Sequence, residues 1–151
     1  MLLTGCSQQT YETVTDLYEE GLQPKPKTIC LELPEEAATP AMESEENGKL
    51  YFCDGYTLAV QTLSGGDLDG TLRQLTGFSG DALTVIERSV GQIDRYDCVW
   101  TAVGENQEQS CRCVILDDGS YHYAVAVMAN SQDAGKLQEE WQKLLNSVYL
   151  A

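Results

Sequence analysis

The chain has 151 residues, of which 42% are hydrophobic, and its mean hydropathy of -0.28 is typical of one globular domain with its own core. Lys and Arg number 9 against 24 Asp and Glu, which gives a formal net charge of -15. A surface this acidic repels phosphate backbones and anionic lipid headgroups. We therefore expect no nucleic-acid partner and no electrostatic attachment to a membrane.

The first residues contain a motif that predicts an anchor. Leu3-Thr4-Gly5-Cys6 precedes the polar run Ser7-Gln8-Gln9-Thr10 and resembles the lipobox of bacterial lipoproteins. The resemblance implies that Cys6 becomes the lipidated N-terminus, on the outer face of the bacterial cytoplasmic membrane. The basic part and most of the apolar part of a signal peptide are missing before it, which indicates a start placed at an internal Met or a trimmed chain. The alternative is a chance cysteine. A lipid on Cys6 would supply the membrane affinity that the acidic surface lacks.

Residues 1–24 are predicted to be a lipobox remnant and a tether, and residues 25–151 a single α+β domain. Several apolar side chains of the tether have helical spacing, so a short helix docked on the domain is the alternative for its second half. Gly21 and the run Pro24-Lys25-Pro26-Lys27 end this segment.

The next part of the chain predicts strands. Thr28–Leu33 is expected to be a strand, and the acidic segment Pro34–Asn47 a solvated loop with one helical turn near its start. Lys49–Cys53 and Tyr56–Leu63 should form a hairpin, because Asp54-Gly55 between them is a strong two-residue turn signal.

A short helix follows at Leu68–Thr76, capped by Asp67 and ended by Gly77, with leucines along one side. Ala82–Ser89 is expected to be a strand that turns back at Gly91-Gln92.

Three more strands are predicted at Ile93–Val103, Ser110–Asp117 and Ser120–Ala129, with a two-residue turn at Asp118-Gly119. The last element is a helix from Ser131 to about Val148. Its apolar stripe consists of Leu137, Trp141, Leu144, Leu145 and Val148.

An antiparallel meander packed by two main helices is an α+β layered architecture. The element order, the leucine-rich helix and the ending LDDGSYHYAVAVMA…LQEEWQKLLNSV resemble small bacterial lipoproteins of the PsbP/Mog1-like α/β/α sandwich type, over about residues 28–150. The resemblance implies an adaptor or accessory domain without a shared catalytic residue.

The three long strands should present two different faces. The Asp118-Gly119 turn places Cys113 opposite Ala124 and Ile115 opposite His122, and a turn centred at Asn106-Gln107 places Cys98 opposite Ile115. One face, here the cysteine face, then carries Cys98, Trp100, Cys111, Cys113 and His122, beside alanines. The other, the tyrosine face, carries Tyr121, Tyr123 and a series of valines. Small thiols beside alanines leave room for a helix, and we expect the one with Trp141 there.

Three thiols and an imidazole on one face also allow two interpretations that involve chemistry. Cys98, Cys111, Cys113 and His122 have the ligand chemistry of a zinc site, but Cys-x-Cys within a strand lacks the spacing of known sites. A Cys–His nucleophile lacks an oxyanion donor. Small hydrophobic packing is the favoured interpretation, and we predict no catalytic residue, metal or cofactor. Among disulfides, Cys30–Cys53 is the most plausible pair, although mostly free thiols are favoured.

The sequence therefore predicts a non-enzymatic, lipid-anchored domain of the cell surface that binds an unknown protein partner. Tyr121 and Tyr123 are the candidate contact surface if no helix covers their face. The alternative is a small-ligand or metal-binding protein that uses the cysteine face.

Overall fold

The computed structural model describes residues 24–45, 48–80 and 83–151. Within them the chain forms a seven-stranded antiparallel sheet in the order β2-β3-β4-β8-β7-β6-β5, and a separate two-stranded sheet of β1 and β9. The strands are β1 Ile29–Cys30, β2 Met42–Ser44, β3 Gly48–Cys53, β4 Tyr56–Ser64, β5 Thr84–Val90, β6 Ile93–Val103, β7 Glu108–Asp117, β8 Tyr121–Asn130 and β9 Tyr149–Leu150.

Two α-helices pack on the large sheet, so the predicted α+β class is confirmed. Helix α1 spans Leu68–Thr76, as predicted; the Asp67 side chain accepts a hydrogen bond from the Asp69 backbone N–H, and Gly77 ends the helix with a φ of 83°. Helix α2 spans Ser131–Asn146 and follows β8 directly. No helix of the described segments is both long and apolar enough to cross a bilayer.

The central hairpin is also confirmed. Strand β3 pairs with β4 so that Cys53 lies opposite Tyr56, which leaves Asp54-Gly55 as the two-residue turn. Gly55 has a φ of 86°, the left-handed conformation that this kind of turn requires. The turn chemistry alone was sufficient to predict this register.

The N-terminal part of the domain differs from expectation. The strand expected at Thr28–Leu33 is reduced to β1, which pairs with β9 at the end of the chain. Cys30 and Cys53 are both free thiols, so the Cys30–Cys53 disulfide is not formed. Strand β2 lies in the segment expected to be a loop. All three of its residues are exposed, so it has no apolar alternation to reveal it.

The register of the long strands differs from the predicted one by two residues at each turn. Cys113 lies opposite Ala126 rather than Ala124, and Cys98 lies opposite Cys113 rather than Ile115. The β7–β8 turn is centred on Gly119-Ser120, one residue later than predicted. A shift of two residues keeps each side chain on its predicted face, because side chains alternate with a period of two.

The two helices lie on opposite faces of the sheet, and their assignment corrects the prediction. Helix α2, with Trp141, packs against the tyrosine face on Val114, Val125 and Val127. The cysteine face receives α1 instead, through Leu72. Alternation assigns side chains to faces, but both faces are apolar, so it could not decide which helix covers which face.

Candidate functional site

The three thiols of the cysteine face are packed into a core of small residues. Cys98, Cys111 and Cys113 are all 2% exposed or less, and Cys98 and Cys113 are directly opposite each other on neighbouring strands. They share a hydrophobic cluster with Ala124 and with Leu72 of α1. Their small volume lets the helix approach the sheet closely.

Burial favours the protonated form of these thiols in the metal-free protein. Burial raises the pKa of Cys98 and of Cys111 to about 11 each, and the carboxylate of Asp97 adds to the effect at Cys98. Burial also raises the pKa of Cys113 well above its ordinary value. Zinc binds the thiolate, whereas burial in the metal-free protein favours the thiol. In the described part of the chain, no three His, Cys, Asp or Glu side chains form a group able to hold a metal.

His122 lies away from the thiols. It is opposite Asp117, whereas Cys113 is opposite Ala126, four residues further along β8 and about 13 Å away at strand spacing. The expected proximity of His122 to Cys98 is therefore wrong, because it depended on the shifted register.

The imidazole of His122 instead links helix α1 to the sheet. Its Nδ1 is 2.5 Å from the Thr71 hydroxyl oxygen, and its Nε2 is 3.2 Å from an Asp117 carboxylate oxygen. His122 is fully buried, and Thr71 is 6% exposed on the sheet-facing side of α1. The Thr71 hydroxyl, the His122 imidazole and the Asp117 carboxylate are the groups of a catalytic chain, but a nucleophilic hydroxyl has to reach a substrate and Thr71 is buried. This chain of hydrogen bonds is therefore suited to holding α1 in place.

Tyr121 and Tyr123 do not form an open aromatic surface. Tyr123 has no exposed area, and Tyr121 is half-buried, which contradicts the expected contact surface. The Tyr123 hydroxyl accepts a hydrogen bond from the Lys27 backbone N–H at 2.9 Å, and the Tyr121 hydroxyl donates to the Pro24 carbonyl at 2.8 Å. The two tyrosines therefore fasten residues 24–27 to the sheet.

Asp118 completes this fastening. It accepts hydrogen bonds from the Tyr123 hydroxyl and from two backbone N–H groups of the β7–β8 turn, and it pairs with Lys27 Nζ at 3.4 Å. Burial by itself raises the pKa of Asp118, but the hydrogen bonds outweigh it and lower the pKa to about 2. The carboxylate is thus charged at all physiological pH values and ties the N-terminal segment to the turn.

Sequence reasoning missed Arg95, a buried cation on the tyrosine face. Its Nε and Nη2 donate to the two carboxylate oxygens of Asp97 at 3.2 and 3.1 Å, and Nη2 also donates to the Leu145 carbonyl at 3.2 Å. Arg88 donates to the same carboxylate at 3.0 Å. Burial raises the pKa of Asp97, but hydrogen bonds from Arg95 and Arg88 outweigh it, so the pKa lies below its ordinary value. One signal in the sequence could have revealed this pair: Arg95 and Asp97 lie two residues apart, so both side chains lie on the apolar face of β6.

Beyond α2, on β5 and β6, the described residues leave part of the tyrosine face uncovered. Ile86 is 59% exposed and Val103 is 90% exposed, and Val99 lies between them at 48%. Strand β5 is also the last strand of the sheet, so one side of its backbone has no partner strand among the described residues. We call this the sheet patch: Thr84, Ile86, Val99, Thr101 and Val103.

Comparison with known proteins gives a match of fold only. No family model matches the chain, and no curated protein matches its sequence. Among solved structures, the chain is similar to LpqN of Mycobacterium tuberculosis, which is described as involved in cell envelope biogenesis. The TM-score is 0.58 at 11% sequence identity, over 85% of this chain and 86% of that one. At this identity, the likeness shows a shared fold.

Proposed function

We propose that this protein is a lipid-anchored accessory domain of the bacterial cell envelope that binds another protein and catalyses no reaction. The observation that carries the proposal is the likeness to LpqN, a protein involved in cell envelope biogenesis, over almost the whole of both chains. The lipobox-like sequence that ends at Cys6 supports it independently. Cys6 lies outside the described residues.

The described part of the domain is compatible with attachment through its N-terminal end. Pro24 and Lys27 are fixed to the sheet by the Tyr121 and Tyr123 hydroxyls, and Lys27 is also bound to Asp118. A tether that joins the domain at this point would be attached to the sheet itself, because residues 24–27 are hydrogen-bonded to it. Hydrogen bonds to buried partners make such a junction resistant to fraying.

The sheet patch replaces the tyrosines as the proposed contact surface. Exposed apolar side chains beside a strand edge that no described residue pairs with favour a partner segment that adds to the sheet as an extra strand. The net charge of -15 favours a partner segment that carries positive charge. The proposed occupant is therefore an extended, apolar and basic segment of another envelope protein.

The anchor is tested by intact mass and by cell fractionation of the protein from its own cell. We expect a diacyl modification at Cys6 and recovery in the membrane fraction. Cys6→Ser should move the protein out of that fraction, whereas the control Cys53→Ser should not. An unmodified wild-type chain in the soluble fraction would contradict the anchor.

The contact surface is tested by photocrosslinking in the same cells. A photoreactive residue at Val99 should give a specific protein adduct, and Ile86→Glu in the same chain should abolish it. A photoreactive residue at Phe52, which is 60% exposed on a different strand, is the matched control and should give no such adduct. Equal labelling from both positions, or none from Val99, would count against the sheet patch.

A further inference from the structure

A cavity of about 440 Å³ lies between the small β1–β9 sheet and the large sheet. Ile93 and Leu116 of the large sheet contribute apolar walls, and the segment Val148–Leu150 closes the opposite side. Lys27 and Arg95 bring two cations to the same cavity. Cavities of this size, with apolar walls and a few placed polar groups, are the usual form of a small-molecule site.

Arg95 has hydrogen-bonding capacity left over in this cavity. Its side chain is only 10% exposed, and its Nε and Nη2 groups are occupied by Asp97 and Leu145. No described residue accepts a hydrogen bond from Nη1. Because Arg95 lines the cavity, Nη1 is a free donor available to a ligand there.

The charges around this donor favour an anion. Arg88 and Arg95 share the single carboxylate of Asp97, which leaves one positive charge in excess. Lys27 brings an ammonium group to the cavity; it is paired with Asp118 at 3.4 Å, but its side chain is 49% exposed, so it also faces an entering ligand. Charge-assisted hydrogen bonds to a buried guanidinium are among the stronger polar contacts in proteins.

We propose that this cavity binds a single-chain amphiphilic anion. The anionic headgroup accepts a hydrogen bond from Arg95 Nη1 and lies near Lys27, and the hydrocarbon chain contacts Ile93, Leu116 and Leu150. The headgroup is a carboxylate in a free fatty acid or a phosphate in a single-chain phospholipid. The site is separate from the sheet patch and does not depend on the protein-binding role.

Calorimetric titration of the folded full chain tests the ligand class. Decanoate is the first probe, and decyl phosphate, acetate and decyltrimethylammonium are titrated in parallel. We expect saturable 1:1 binding of decanoate or decyl phosphate, and the tighter of the two identifies the source of the headgroup. Acetate lacks the chain and decyltrimethylammonium has the opposite charge, so neither should bind. Equal binding of the cationic amphiphile, or no binding of either anion, would overturn the proposal.

Two variants and one control locate the site. Leu150→Trp fills the cavity without removing a charge and should weaken anion binding by about tenfold or more, the effect of losing about 1.4 kcal/mol of contact. Lys27→Gln should weaken it by a smaller factor. Lys49→Gln is the matched control, since the Lys49 side chain is 47% exposed against 49% for Lys27, and it should leave affinity unchanged.

Arg95→Gln removes the guanidinium donor itself. Arg95 also holds the Leu145 carbonyl near the end of α2, so circular dichroism must first show that this variant folds. If it folds, binding of the anion should fall at least as far as in Leu150→Trp. If it does not fold, Leu150→Trp decides the question, and unchanged affinity in a folded Leu150→Trp chain would refute the site.

Discussion

The two faces of the large sheet are both apolar, but they are constructed differently. The cysteine face has small side chains and is covered by the nine-residue helix α1. The tyrosine face has larger side chains and is covered by the 16-residue helix α2 and by the β1–β9 sheet. The residue types that most suggest chemistry lie on the first face, where solvent does not reach them. Arg95, a buried guanidinium, lies on the second face and lines an apolar cavity of about 440 Å³. Reactive residue types therefore indicate a site only when a ligand can reach them.

The largest expected effect lies in the core of the tyrosine face. Trp141 is fully buried and contacts Tyr56 edge-on, with ring centroids 5.9 Å apart. We expect Trp141→Ala to lower the free energy of unfolding by about 3–5 kcal/mol in denaturant titration, because a large cavity remains. Phe52→Ala, at an exposed aromatic residue, is the control and should change it by less than about 0.5 kcal/mol. A cost below about 1 kcal/mol for Trp141→Ala would show that α2 does not pack the tyrosine face as described.

The second effect concerns the attachment of residues 24–27 and depends on pH. Because the pKa of Asp118 is lowered to about 2 in the folded protein, against about 3.9 for an unfolded chain, its contribution to stability is complete above pH 4 and is lost as the pH falls through 2. Asp118→Asn should therefore cost about 2 kcal/mol at pH 7, and its difference from the wild type should shrink below pH 4.

Unfolding titrations at a series of pH values measure this difference. Asp54→Asn, in the exposed β3–β4 turn, is the matched control and should follow the wild type at every pH. If the difference in free energy of unfolding between Asp118→Asn and the wild type stayed constant down to pH 2, the carboxylate charge would not be what fastens residues 24–27 to the sheet.

The third effect concerns the hydrogen bond that holds α1 on the cysteine face. Thr71→Val keeps the shape of the side chain but removes the hydroxyl that meets His122 Nδ1, and leaves that buried nitrogen without its partner. We expect a cost of about 1–3 kcal/mol. Faster amide exchange should be confined to α1, with α2 unchanged, since only α1 depends on this link. Thr84→Val, on an exposed strand position, is the control. Loss of protection in both helices would contradict the separate roles of the two faces.

The sequence was informative wherever local chemistry decides the structure. Asp54-Gly55 specified its hairpin, and Asp67 and Gly77 specified the two ends of α1. Strict alternation along β6 and β7 placed Cys98, Cys111 and Cys113 on their correct face, even though the register was wrong by two residues. A two-residue error is invisible to alternation, but it moved His122 away from the cysteines and so removed the candidate site.

Long-range partners were not encoded in local patterns. Nothing near β1 indicates that it pairs with the chain end at β9, and this pairing forms one wall of the cavity. In the sequence, only its two-residue spacing from Asp97 distinguishes Arg95 from an ordinary strand residue. Its burial follows only from the path of the segment after α2, which brings Leu145, Asn146 and Val148 around it.

The most direct test of the contrast between the two faces is an amide NMR titration of the folded chain with Zn²⁺ and, separately, with decanoate. We predict that decanoate shifts the signals of Arg95, Leu116 and residues 148–150, and that Zn²⁺ leaves Cys98, Cys111, Cys113 and His122 unshifted. Saturable zinc shifts at those four residues, with no response to decanoate around Arg95, would contradict the account.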